Sequence, residues 1–456
     1  MAAPPALNGY KMQDVDGGFA PVNAGLEEAS YIAMRLRLTS YFCYNTGITP
    51  MLSHMDWQSA LDTWFEQKRQ EGIDLLADLV RLNTVNPPGN EYLAARVVQA
   101  YLQRYDIPFT THEAAPGRTN VLARVGSGSP IVCVPAHTDV VPVGEGWDTD
   151  PFEPVIKDGC MYGRGTTDDK GPLVSTLLLA AFLKQHEDEL TGTFLAGAVA
   201  DEEMGSALGL VYLLAEGLIE ADYAIVPDTG ESVFRASCGE KGLYHLNVTF
   251  TGEQAHGSTP HRGLNAIWAA VAFLERVRAL FGAECGFFAE DPHALFTPST
   301  VNVATISAGS AHNIIPGQCT IGLDIRYRPE KSREALRALL EDLAGQVKAE
   351  GLCLGYEVSE VTHMPPFELE ADSPLVQAIR SATQAVTGKD VELFGMGGTT
   401  VCKQFVEHGI PAIGFSQQAH HQAHMANEHL ELDEIGLFGR VLGMAVVGLC
   451  EEGRGD

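Results

Sequence analysis

The sequence predicts an α/β fold: a sheet flanked by helices, with a smaller unit inserted into it. Two observations predict this. Short β-rich runs alternate with helical runs from about residue 57 to 242, and helical runs return after 364, the pattern of a sheet covered by helices. Between these stretches, residues 243–363 read in the order β-α-β-β-α-β, the split βαβ arrangement of ferredoxin-like units.

Taken in chain order, Leu61, Trp64, Ile73, Leu76 and Leu79 keep helical spacing and predict a helix over 57–82. Asn86-Pro87-Pro88-Gly89 ends that segment, and a second helix is expected over 91–105. Strands are expected at 121–125, 131–135, 194–199 and 223–226, with a buried helix at 173–184 and another at 207–218. The inserted unit should hold strands at 244–250, 300–307, 319–327 and 354–361 and helices at 264–281 and 332–348. Helices at 374–387 and 432–449 complete the chain, with an apolar run at 412–415 between them. Residues 3–25, rich in Gly, Pro, Ala and Asn, show no clear period and 26–44 could form a helix, so 1–54 are expected to be a disordered extension or the product of a misassigned start. The expected division is therefore 1–54, 55–242, 243–363 and 364–456.

Composition narrows the function. The 456 residues are 45% hydrophobic and 20% charged, which suits folded domains and excludes wholesale disorder. Asp plus Glu number 59 against 30 Lys plus Arg, a net charge of −29. Such a surface repels phosphate backbones and anionic membranes, so neither is an expected partner. No run of about 18 apolar residues predicts a membrane span, and no basic stretch followed by an apolar core predicts a secretory signal. Nine scattered cysteines without a CxxC pair read as reduced thiols, which points to the cytoplasm.

Five places carry chemistry. Residues 132–142, VCVPAHTDVVP, end a strand and bring His137 and Asp139 to one side of an extended chain. Residues 163–171, GRGTTDDKG, set Asp168 and Asp169 among glycines, at a spacing that fits neither a Walker loop nor a dinucleotide fingerprint. Residues 199–205, VADEEMG, put Asp201, Glu202 and Glu203 directly after an apolar strand, where their repulsion is costly without a cation. Asp228 follows the strand at 223–226, and His420, His421 and His424 cluster in HHQAHMANEH after the run at 412–415. Taken singly, a solvated turn, a charged surface turn or an acidic helix N-terminus would explain the first three. Together they place oxygen and imidazole donors at four or five strand ends, where open α/β sheets keep their sites. The donor set has no thiolate, so it suits Zn²⁺, Co²⁺ or Mn²⁺ in a hydrolytic centre. No GxSxG elbow, HExxH or cysteine signature offers another chemistry.

HTDVVP, GRGTTDDKG, DEE and HMANE, in this order, resemble the co-catalytic metallopeptidase family of carboxypeptidase G, aminoacylase, acetylornithine deacetylase and succinyl-diaminopimelate desuccinylase. The resemblance spans about residues 57–450. It implies a zinc-peptidase-like catalytic domain with a mixed sheet flanked by helices, and an inserted ferredoxin-like βαββαβ lid or dimerisation domain. It implies His137 and Asp228 on one metal, Glu203 and His424 on the other, and Asp168 bridging both. Asp139 would orient His137, and Glu202 would be the general base. QAHGSTPHRGLNAI resembles the family segment whose His, here His256, reaches the partner subunit's site and stabilises the oxyanion. Asn313 in HNIIPG, Arg326 in LDIRYRP and Gly398 in the Gly397-Gly398-Thr399 loop resemble substrate contacts. A turn residue, a strand ion-pair partner and a structural glycine are their plain alternatives.

The implied reaction is amide hydrolysis. Glu202 takes the proton of the attacking water and returns it to the leaving amine, with His256 at the oxyanion. The substrate class is an N-acylated amino acid or a short peptide, and the enzyme would be a homodimer. Asp at position 228 is more frequent among dipeptidases and aminopeptidases, and so leans toward peptides. Residues 399–403, TTVCK, stand where relatives often have Ser-Asp-Ala-Arg. A non-catalytic binding protein on the same fold is the remote alternative, opposed by the complete set of ligands and base.

Overall fold

The computed structural model describes residues 55–280, 292–418 and 422–452. The expectation for 1–54 and the pair His420 and His421 lie outside the described residues. The described residues open with two helices, α1 (Trp57–Gln67) and α2 (Arg69–Val80), where one was expected over 57–82. Lys68 separates them at φ −96°, ψ 4°, and its ammonium is drawn to Glu71 at 2.9 Å and to the Tyr105 hydroxyl at 2.7 Å. Then come α3 (Tyr92–Arg104), β1 (Phe109–Glu113), β2 (Thr119–Ser127), β3 (Ile131–His137), β4 (Val155–Lys157) and β5 (Cys160–Tyr162). They are followed by α4 (Lys170–Gln185), β6 (Gly192–Val199), α5 (Leu210–Ala215), β7 (Tyr223–Val226) and β8 (Arg235–Glu240).

The next elements are β9 (Gly242–Thr251), α6 (Ala266–Ala279), β10 (Thr300–Ala308), β11 (Gln318–Tyr327), α7 (Arg333–Ala349) and β12 (Gly355–Met364). This is the expected β-α-β-β-α-β order. The chain closes with β13 (Phe367–Glu368), α8 (Pro374–Thr387), β14 (Glu392–Met396), α9 (Cys402–Glu407), β15 (Ala412–Gly414), β16 (His429–Glu431) and α10 (Leu432–Glu452).

Among the described residues, nine strands form one mixed sheet, with β1, β2, β6, β3, β7, β15, β8 and β13 in that order and β14 paired with β8. β3 runs parallel to both β6 and β7, and β15 runs parallel to β7. All eight residues of β6 are buried, as a strand covered on both faces requires. α4 is apolar around its whole circumference over 171–183 except at Ser175 and Thr176. It lies between the sheet and the outer helices, where the Trp64 indole donates to the Leu178 carbonyl at 3.0 Å.

The second sheet has four antiparallel strands in the order β10, β11, β9, β12. Tyr244, Leu246, Val248 and Phe250 of β9 pack with Phe273 of α6 and Leu340 of α7 in a core of their own. β10 is an edge, and its residues 302–308 are all exposed. Among the described residues, no helix is long and apolar enough to cross a membrane.

Candidate metal centre

The parallel strands β3, β6 and β7 end at one rim of the nine-stranded sheet, and the chemistry sits there. His137 is the last residue of β3 and is buried. Its Nε2 lies 2.8 Å from Asp168 Oδ1. His424 Nε2 lies 3.2 Å from Asp168 Oδ2 and 3.2 Å from Glu203 Oε2. Asp168 thus stands between two imidazoles, with one oxygen toward each. Donor atoms of His137, Asp168 and Glu203 fall within 4.8 Å of one another, and so do those of His137, Glu202 and Asp228. Two overlapping sets therefore meet at His137, with Glu202 in one and Glu203 in the other.

The surroundings fix these side chains. His137 Nδ1 lies 3.0 Å from the backbone carbonyl of Asp139 and 3.5 Å from its carboxylate. That carboxylate does more than orient the ring. It accepts the backbone N–H groups of Glu202 at 3.1 Å and Glu203 at 3.2 Å, and the Asn86 amide at 2.9 Å. The turn bearing both acids is thereby pinned to the His137 strand. Asp169 accepts the His137 backbone N–H at 3.1 Å, and the peptide joining it to Asp168 is cis.

Of the three adjacent acids, Asp201 turns away from the cluster. It adopts φ 66°, receives Arg118 at 2.7 Å and Asn86 at 3.0 Å, and accepts the Leu208 N–H at 2.9 Å. Asp201 therefore caps the turn, while Glu202 and Glu203 are left for the site.

The residues present fit divalent cations. Burial, and then the neighbouring Asp168 charge, push the Asp228 carboxyl up to about 7. Burial, and then the Asp228 charge, drive Glu202 well above the ordinary carboxylate range. Burial alone would also raise Asp168, but hydrogen bonds from His137 and His424 outweigh it and hold that group low. Glu203 Oε1 is buried with no hydrogen-bond partner, which a native interior seldom tolerates. Hard oxygen donors, two imidazoles, mutual repulsion and an orphaned oxygen are what bound dications would relieve.

The profile of peptidase family M20/M25/M40 matches residues 133–446. The chain belongs to that family. An uncharacterized metallohydrolase of Methanocaldococcus jannaschii is 30% identical, aligned over 80% of this chain and 96% of that protein. A succinyl-diaminopimelate desuccinylase of Thioalkalivibrio sulfidiphilus is 27% identical, over 81% of this chain and 96% of that protein. The structure of a dinuclear metal-binding peptidase of family M20 from Bacillus subtilis superposes with a TM-score of 0.66 at 17% identity, over 85% of this chain and 99% of that one. This M20 chain is thus a metal-dependent hydrolase.

The remaining sequence-predicted residues make no direct hydrogen bond to the cluster among the described residues. His256 Nδ1 is 2.8 Å from the Ser258 hydroxyl, and none of its polar contacts among the described residues reaches the His137 cluster. Asn313 is an exposed turn residue whose carbonyl accepts the Gly257 N–H at 2.8 Å, so it sits beside His256. Arg326 pairs with Asp324 at 2.8 Å on its own strand, and its Nη1 lies 3.4 Å from Thr399 Oγ1, next to the exposed Gly398.

Sequence reasoning gave no role to Glu428. Its buried carboxylate accepts five hydrogen bonds, from Arg164, the N–H groups of Gly165, Thr167 and Asp168, and the Thr167 hydroxyl. It shapes the loop that presents Asp168. Its one signal was its place in the HMANE run. Asn86, lying between the Asp139 and Asp201 carboxylates, left no signal before its two prolines.

Proposed function

We propose that this hydrolase removes an acyl group from an N-acylated amino acid, in the manner of acetylornithine deacetylase or succinyl-diaminopimelate desuccinylase. The observation that carries the hydrolytic reading is the pair of overlapping donor sets around His137, which gives Glu202 and Glu203 separate places. The desuccinylase relative, aligned over nearly its whole length, supports the acyl class. Cleavage of dipeptides or of a C-terminal residue is the second reading, favoured by Asp at position 228 and by the fold likeness to a peptidase.

His137 and Asp228 would hold one divalent ion, Glu203 and His424 a second, and Asp168 would bridge them. Zn²⁺ is proposed for both, with Co²⁺ or Mn²⁺ able to replace it. Bound ions supply Lewis acidity at the scissile carbonyl and ease ionisation of water. Glu202 takes a proton from the attacking water and delivers it to the leaving nitrogen, so amide plus water become carboxylate plus amine. Asp139 keeps Glu202 in place by accepting its N–H. Arg326, Asn313 and Gly398 are proposed to bind the substrate, and His256 to stabilise the oxyanion. The described cysteines are all unpaired, which suits a reducing cytoplasm.

The test is amine release from N-acetyl, N-succinyl and N-formyl amino acids and from dipeptides, on metal-loaded protein with a chelated control. Chelator-sensitive turnover of acylated amino acids is expected. Preference for dipeptides would replace the first reading with the second. No turnover on any member would sink both.

Residues 243–363 are proposed as the lid and dimerisation domain of a homodimer, with His256 acting on the partner's site. The exposed edge β10, with Ile306 55% exposed, and Trp268 on α6, 65% exposed, support a covered face there. Ile306→Lys is expected to shift the gel-filtration peak from dimer to monomer and to lower kcat along with it. A monomeric variant with unchanged kcat would exclude catalysis across the interface.

A further inference from the structure

The chain passes twice between the nine-stranded and the four-stranded sheet. It goes from β8 to β9 through Lys241, and from β12 to β13 through Pro365 and Pro366. The two crossings run side by side, because Phe367 pairs with Glu240 on one sheet and Met364 with Leu243 on the other. One buried ammonium grips both. Lys403, in the first turn of α9, donates from Nζ to the Lys241 carbonyl and, at 3.0 Å, to the Pro365 carbonyl.

Its counter-charge is Glu240, the last residue of β8, equally buried and 3.9 Å from Nζ. Glu240 accepts in turn from the Thr400 N–H at 3.1 Å and the Thr400 hydroxyl at 2.5 Å. The neighbouring Thr399 lies 3.4 Å from Arg326 on β11. The joint around this pair is close-packed. A Cβ on Gly239 or Gly395 would come within 2.9 Å or 2.2 Å of the Phe296 ring. A buried ion pair adds little stability over apolar side chains of the same volume. What only an ammonium can do here is tie acceptors from separate segments to one point.

We propose that Lys403 is a positioning residue: the clasp of the hinge that sets Arg326 and the 397–400 loop at a fixed distance from the metal centre. The proposal rests on the reading that these groups bind substrate there. Lid position is therefore measured separately from turnover.

The test uses Lys403→Met and the double variant Glu240→Gln/Lys403→Met in the full-length, metal-loaded enzyme. Four quantities are measured: kcat, KM, bound metal per chain, and the small-angle scattering profile. The expected result is a fall in kcat of roughly 10²-fold, the cost of misplacing reacting groups by about 1 Å. Bound metal should stay unchanged, and scattering should show a wider spread of domain separations. A folded variant with parental kcat and KM, or with a parental scattering profile, overturns the proposal. So does a loss of kcat that tracks loss of metal, which would place Lys403 in the structure of the centre. The double variant leaves no lone buried charge and decides the matter if the single variant fails to fold. If neither folds, Lys403 is a folding residue and the proposal falls. A parent enzyme inactive on every substrate removes the substrate reading and leaves the scattering result standing.

Discussion

Glu202→Gln is expected to lower kcat by roughly 10²–10⁴-fold, the usual contribution of a positioned general base, while the protein still binds its metals. The substitution is isosteric. It keeps the backbone N–H that Asp139 accepts at 3.1 Å, so the turn carrying Glu203 should hold its shape. It removes only the carboxylate's capacity to accept a proton. Metal retention is expected because the proposed ligands His137, Asp168, Glu203, Asp228 and His424 are all untouched. Chelation of the parent enzyme should also abolish turnover, but reversibly and with loss of metal. Steady-state kinetics beside metal analysis of the same samples separates the two. A glutamine variant that turns over as the parent does would remove Glu202 from the chemistry. One that loses metal together with activity would make Glu202 a ligand.

The sequence carried the long elements because their signals are local. α8 was legible to the residue, since a Ser-Pro start and a helical apolar stripe bound it on one side and Gly388, at φ 71°, on the other. β7 was legible because four apolar residues end in Pro227. The short or polar strands were not. β1, reading FTTHE, and β13, with two residues, become strands only because a neighbour pairs with them.

The same division runs through the site. His137, Glu202, Glu203 and Asp228 were legible as one donor cluster because a parallel sheet delivers strand ends to one rim, and Asp168 joins them from the glycine-flanked loop before α4. The groups that hold them were not. Glu428 reaches the 163–168 loop across some 260 positions of chain, and Arg118 reaches Glu91 across 27 positions and Asp201 across 83. A buried charge whose partner is distant has no period to betray it. Lys403 is the extreme case, since a lysine in a short helix reads as surface until both crossings are seen to end on it.

Glu428→Ala should destabilise the fold by about 3–5 kcal/mol, the cost of breaking a buried pair from one side. Arg164, itself buried, would keep its charge after losing an oxygen 2.7 Å from Nη1. The N–H groups of Gly165 at 2.9 Å and Thr167 at 2.8 Å would lose their acceptor as well. Replacing Arg164 too, in Arg164→Met/Glu428→Ala, should recover only part of the loss. The lone charge is then gone, but buried N–H donors remain unpaired, at about 1–3 kcal/mol each. The damage should reach the metals. Asp168 hangs from this loop, and the Arg164 guanidinium also donates to the His424 carbonyl at 3.5 Å. Both Asp168, the proposed bridging carboxylate, and His424 opposite it are thus tied to this one acid, Asp168 directly and His424 through Arg164. Urea titration of metal-free samples gives the stability term without ligand linkage. Metal titration at a temperature where the variant is folded gives the second term. Parental values in both would mean that the loop holds its shape without Glu428. A loss of stability with parental metal affinity would mean that Asp168 is placed by its own backbone alone.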